Sequence, residues 1–197
     1  TLYWENVAAS FASEKDSEGL SRWVINNLEA IWIIIYTMAF TIGVALLNQL
    51  KIRKETFTGV AQILLALSIF VFLVAGLFVL SELREAYLKP EETAYLQYSL
   101  FNIIIRYIAM IFFAGGLYVL SRYQSLEDNS LRFRMIDIFI HGAILWFLTS
   151  ELIHWLAMAG MPGSYKIWLS ILWGAYSLFL IAWGIKAKRQ HLRIMAI

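Results

Sequence analysis

Cysteine is absent from the 197 residues, which removes disulfides, thiolate metal sites and a cysteine nucleophile at one stroke. Proline is almost absent too. Its two copies, Pro90 and Pro162, fall between apolar runs, where a helix breaker does no harm. Charged residues make up only 15% of the chain, against about 25% in soluble domains. The net charge of +2 is too small, and the basic residues too scattered, for a nucleic-acid partner. No nucleophile elbow, phosphate loop, dinucleotide fingerprint or zinc-protease motif occurs. The sequence therefore gives no reason to expect a catalytic residue, a cofactor or a metal.

What fills the chain is apolar. Hydrophobic residues reach 60%, against about 45–50% in soluble domains, in five runs near the ~20 residues needed to cross a bilayer. A β-barrel would show ten-residue alternating strands instead. The expected fold is all-α: a polytopic membrane bundle of five transmembrane helices near residues 28–50, 57–81, 98–121, 135–160 and 165–186, within a membrane domain of residues 23–197. Residues 1–22 are polar, with Glu5, Glu14, Asp16 and Glu18. Trp4, Val7, Ala8 and Phe11 share helical spacing there, so a short interfacial helix and an ordinary mobile terminus both fit. The chain starts Thr1-Leu2-Tyr3-Trp4 and stops in mid-pattern at Leu192-Arg193-Ile194-Met195-Ala196-Ile197, as expected of a piece of a longer one.

Orientation follows from the loop cations. Ten lie on one side: Lys51, Arg53, Lys54, Arg122, Arg132, Arg134, Lys186, Lys188, Arg189 and Arg193. Five lie on the other: Lys15, Arg22, Arg84, Lys89 and Lys166. The expected topology is N-out and C-in. Trp23, Trp32, Tyr95, Tyr98, Tyr165 and Trp168 would form an outer aromatic belt, with Tyr123 and Trp183 near the inner one. A faint parallel two-helix repeat has an offset of 69 residues: Phe78-Val79-Leu80-Ser81-Glu82-Leu83 corresponds to Phe147-Leu148-Thr149-Ser150-Glu151-Leu152. Duplication and chance similarity between apolar helices both account for it.

The fourth run concentrates the chemistry, with Asp137, His141, Glu151 and His154 among apolar neighbours. At 100° per residue, Asp137, His141 and Glu151 fall within about 80° of one another, with Ile144 and Leu148 between them. Each ionisable group at membrane depth costs ~2.5–3.5 kcal/mol, so this stripe should face protein or water. Asp137 and His141, one turn apart, are expected to pair locally and cap the inner end of the bundle. Arg106, roughly 12 Å along the third run, needs a partner, since a guanidinium stays charged. Glu151 matches it in depth, with Glu82 as the rival. Such a pair reads either as a bridge that fixes helix register or as the lining of a proton or small-anion site.

His141 and His154, thirteen residues apart, have the spacing of cytochromes that stack two haems. Each iron would need a second histidine, and only His191 remains, so no bis-histidine site can form. Glu151 and His154 have the i, i+3 spacing of di-iron bundles. The required second copy is missing, because the repeat offers Glu82 and Glu85. His154 also reads as an interfacial histidine bonded to loop backbone.

Ser150-Glu151-Leu152, Trp168-Leu169-Ser170-Ile171-Leu172-Trp173-Gly174-Ala175-Tyr176, Gly184-Ile185-Lys186 and the basic run into Leu192-Arg193 resemble the C-terminal end of a family of large bacterial predicted membrane proteins, a domain of unknown function. The resemblance covers about a quarter of the chain. It implies further spans on both sides and a multi-pass location in the bacterial inner membrane, and it carries no activity. The expected partners are the lipid bilayer and further transmembrane helices of the same chain or of other membrane subunits. The expected function is a membrane scaffold or interaction module, and the alternative is a transport module moving protons or a small anion along the polar stripe.

If Arg106 and Glu151 form the expected pair, Arg106→Met and Glu151→Leu should each cost ~3–5 kcal/mol by stranding a buried charge, while the double variant recovers most of it. Denaturation in detergent measures this. Single variants as stable as the parent would place Arg106 against water.

Overall fold

The computed structural model describes residues 18–52, 55–88, 100–124, 131–161, 163 and 165–196. The helices are α1 (Glu18–Leu47), closed by a π-helical turn over Asn48–Ile52, then α2 (Glu55–Val71), a π-helical segment at Phe72–Gly76, and α3 (Leu77–Leu88). They are followed by α4 (Phe101–Gln124), α5 (Leu131–Met158), α6 (Tyr165–Lys186) and the short α7 (Gln190–Met195). No strand occurs among the described residues. Five helices are long and apolar enough to cross a membrane: Trp23–Lys51, Phe57–Leu88, Phe101–Tyr123, Leu131–Met158 and Tyr165–Lys186. The all-α polytopic expectation holds. Residues 1–17, the segment carrying Lys89, Pro90, Tyr95 and Tyr98, and also Arg53, Lys54 and Pro162 lie outside the described residues.

The chain divides into two compact units, residues 1–116 and 117–197, with the boundary inside α4. The first is built on a heptad-like seam. On α1, Val24, Leu28, Ile31, Ile35, Met38, Thr41 and Ala45 are buried at three- and four-residue steps, as a left-handed helix pair requires. Ala61, Leu65 and Ile69 supply the buried positions of α2. Lipid tails are as apolar as leucine, so packing and polar cross-links hold such helices together. Midway, the buried hydroxyls of Thr41 and Ser68 lie 2.9 Å apart; one donates to the other, and the second donates to a carbonyl of its own helix, Met38 O or Leu65 O. Lower on the seam, the Asn48 amide donates to Thr58 Oγ1 at 3.1 Å. Gly116 of α4 lies against Ile69 and Leu65, where an added methyl would meet Ile69 at 3.4 Å.

The second apolar run, expected over 57–81, continues as helix to Leu88. Its π-helical segment has a local cause. Phe72 is fully buried and packs at 5.3 Å, tilted, on Phe113 of α4. Its ring lies over Gly76, where a Cβ would come within 2.6 Å of Cδ2. The Leu77 N–H reaches back to the Phe72 carbonyl, the wide i→i+5 bond of a π-bulge. Gly76→Ala is expected to cost ~1–3 kcal/mol by driving a methyl into a closed ring contact. Gly43→Ala has open space at its Cβ and serves as the control without loss. Detergent melting curves compare them, and equal midpoints would mean that the ring swings aside freely.

Candidate functional site

The second unit is organised by two chain reversals. At the end of α5, Gly160 takes φ +71. Its N–H bonds Ala157 O at 3.1 Å and the Met161 N–H bonds Leu156 O at 3.0 Å, which is a Schellman ending. At the end of α6 the same motif recurs with Lys188 at φ 56 in the position that glycine usually takes. Lys188 N–H bonds Ile185 O at 3.2 Å and Arg189 N–H bonds Gly184 O at 2.9 Å. This second reversal folds α7 back as a hook. Gly184 permits the approach, because a Cβ there would meet Arg193 Cγ at 2.8 Å and Arg189 O at 3.1 Å.

The hook is anchored by the fully buried Leu192, in a cluster with Tyr176 and Leu180 beside Ile144, Leu145 and Leu148 of α5. Ser177 Oγ donates to Ala196 O at its far end. The hook's polar face meets Asp137, which lies six residues into α5 with a side chain 3% exposed. Arg189 Nη1 donates to both carboxylate oxygens, at 3.0 and 3.1 Å. His191 Nε2 lies 2.6 Å from Oδ2 and must donate there, since an ionised carboxylate only accepts. Phe133, one turn earlier on α5, supports both groups: Arg189 Cζ stands 4.9 Å over its ring, and His191 meets it edge-on at 6.1 Å. A partly desolvated cation–π contact of this kind adds ~1–2 kcal/mol.

His141 joins from the α5 side with Nε2 3.9 Å from Asp137 Oδ1. The Tyr176 hydroxyl has one proton, and it donates that proton to the His141 carbonyl at 3.1 Å. The same hydroxyl lies 3.0 Å from His141 Nδ1. The imidazole is thereby held in orientation, with Nε2 turned toward the carboxylate.

The expected local Asp137–His141 cap is thus only part of the arrangement. The closer partners of Asp137 are Arg189 and His191, fifty-two and fifty-four residues away in the chain. Glu151 and His154 are both buried on α5, at 8% and 1% exposure, and His154 lies edge-on to Trp155 at 5.9 Å. Glu151 is fourteen residues from Asp137, or about 21 Å along the helix, so the two do not share a cluster.

Arg106 belongs to the first unit and is 2% exposed. Arg84, counted in the sequence as a loop cation, is instead 7% exposed within α3 and near enough to Arg106 for the two charges to act on each other. Arg84 donates to Ser81 Oγ at 3.0 Å and stands 4.0 Å from Glu85 Oε1. Glu82 is half-buried on the same helix. At the 69-residue offset, Arg84 and Arg106 align with Ile153 and Ala175, so this pair of buried cations has no counterpart in the second copy.

Among the described residues, no group of three or more His, Cys, Asp or Glu residues is arranged to hold a metal ion. A shallow groove of about 290 Å³ between α5 and α6 is lined by Gly142, Leu145, Trp146, Thr149 and Trp173. Its polar atoms satisfy each other, with Trp173 Nε1 donating to Thr149 Oγ1 at 3.1 Å. It offers no reactive group.

Helix length, apolar composition and the buried polar stripe define a polytopic α-helical membrane protein. No protein-family model, curated protein or solved structure matches the chain.

Asp137→Leu should cost ~1–3 kcal/mol, less than breaking a fully buried pair, because the Arg189 side chain it leaves behind is 33% exposed. Gly184→Ala should cost ~1–3 kcal/mol by forcing the hook away from α6. Because both release the same element, the combined variant is expected to fall well short of the sum. Unfolding midpoints in a denaturing-detergent titration measure this. Full additivity would show that Asp137 and the hook act independently.

Proposed function

We propose that this chain is an integral-membrane scaffold or interaction module of a larger multi-span bacterial protein or complex, sited in the inner membrane with N-out and C-in topology. The observation that carries this reading is the closure of Asp137. The acid at the start of the polar stripe has both oxygens taken up by Arg189 and His191, and its side chain is 3% exposed. A carboxylate consumed in this way ties helices together and has little capacity left to exchange protons or bind a passing anion.

The rest of the stripe agrees. Between Asp137 and Glu151 the same face carries Ile144 and Leu148, both packed against the hook cluster, which leaves a long apolar gap in any proton wire. Around this closed interior, α6 and much of α5 present large apolar side chains outward, among them Trp146, Trp155, Ile167, Ile171 and Leu178. Such faces suit lipid or further transmembrane helices. The resemblance of residues 150–193 to the end of a family of large multi-span bacterial proteins supports the second of these partners.

The transport reading is tested against this one in proteoliposomes carrying a pH-sensitive dye, with a potassium diffusion potential of either sign. The scaffold reading expects proton flux no greater than in empty vesicles. Potential-driven flux that Glu151→Gln abolishes, in a variant as stable as the parent, would overturn it.

A further inference from the structure

The end of the second unit that carries the hook has a surface separate from the buried latch. Arg134 on α5, Lys186 at the end of α6, Lys188 in the reversal and Arg193 on α7 are all exposed. The latch fixes them at one end of the unit, because Asp137, three residues after Arg134, is bonded to Arg189, the residue after Lys188. Among the described residues the acid at this end is Asp137, which is buried and already bridged. Among the described residues the exposed charge here is positive. Large apolar side chains are interleaved with it: Met135 at 64% exposure, Trp183 at 43%, Ile185 at 61% and Ile194 at 66%. Lys186 Nζ stands 6.0 Å over the Trp183 ring, an aromatic with its charged neighbour at the level where such residues sit in a headgroup layer.

Lys188 supplies an independent observation. It occupies the left-handed position of a Schellman turn, where glycine is the unstrained residue. Its side chain is exposed, so core packing does not account for it. A cation held where glycine would fold more easily points to a use for the charge outside the fold.

We propose that this surface binds the headgroups of anionic phospholipids, with Arg134, Lys186, Lys188 and Arg193 meeting the phosphates while Trp183, Ile185 and Ile194 enter the acyl boundary. Interleaved cations and apolar side chains match a charged headgroup layer above hydrocarbon and match neither surface alone. The contact adds to the scaffold reading without depending on it, since a transporter with this surface would bind the same lipids.

The test is a melting-shift titration of the purified full chain in neutral detergent with short-chain phosphatidylglycerol, phosphatidylcholine or inorganic phosphate. Phosphatidylglycerol is expected to raise the midpoint, and the other two are expected to have little effect. Added salt should reduce the shift as the Debye length falls. Lys188→Gly, which relieves the backbone, is expected to melt no lower than the parent in detergent alone, yet to bind phosphatidylglycerol roughly fivefold more weakly. The Lys186→Gln, Lys188→Gly, Arg193→Gln combination should weaken it by roughly a hundredfold. Equal shifts from the two lipids, or parental affinity in Lys188→Gly, would overturn the proposal. A shift reproduced by inorganic phosphate would make this a free-anion site and would overturn the lipid assignment.

Discussion

A carboxylate placed inside a membrane helix has to be neutralised by something, and that requirement shapes the second unit. Asp137 can stay ionised and dry only because a guanidinium and an imidazole are brought to it. The chain brings them by reversing at Lys188 and laying a six-residue helix back along α5 and α6. The apolar anchor Leu192, the Ser177 tie and the bare Gly184 surface are conditions for that reversal to close. Replacing the whole polar set with apolar residues is expected to leave a stable bundle, since buried ion pairs are weak stabilisers against hydrophobic substitutes. Their effect lies in selecting one position for the hook.

The first unit meets the same physics with different means. Its helices are fixed by a long buried seam and by hydroxyl and amide cross-links, which in membranes are worth about 0.6 kcal/mol each on average. Its two buried arginines, Arg84 and Arg106, lie within reach of each other's charge, a costly arrangement that the segment 69 residues further on lacks. If duplication did occur, the two copies have since taken on different polar interiors.

Much of this was legible in the sequence. Long apolar runs fixed the number and rough positions of the helices, because the hydrocarbon thickness imposes a length that no other pattern imitates. The cost of charge at depth singled out Asp137, His141, Glu151, His154 and Arg106, and all but His141 are buried below a tenth of their surface. The partners were not legible. Arg189 was read as one more topogenic cation and His191 as a residue beyond the last span, since the turn that recruits them carries lysine at the position where glycine would have announced it. The π-bulge was hidden for a related reason: Gly76 sits in an unbroken apolar run, and only the stacking of Phe72 on Phe113 reveals why that glycine is needed. Arg84 was misplaced because α3 runs about two turns beyond the apolar segment that marks it.

The central claim is that Asp137 holds the hook in place, and amide hydrogen exchange over residues 193–196 reads that directly. In the parent the amides of residues 193–196, which have carbonyl partners one turn earlier, should exchange only through rare opening of the hook. In Asp137→Leu the loss of about 1–3 kcal/mol should speed their exchange by a factor on the order of five to two hundred, while the α1–α2 seam stays protected. Unchanged exchange over 193–196 in a folded Asp137→Leu protein would contradict the account.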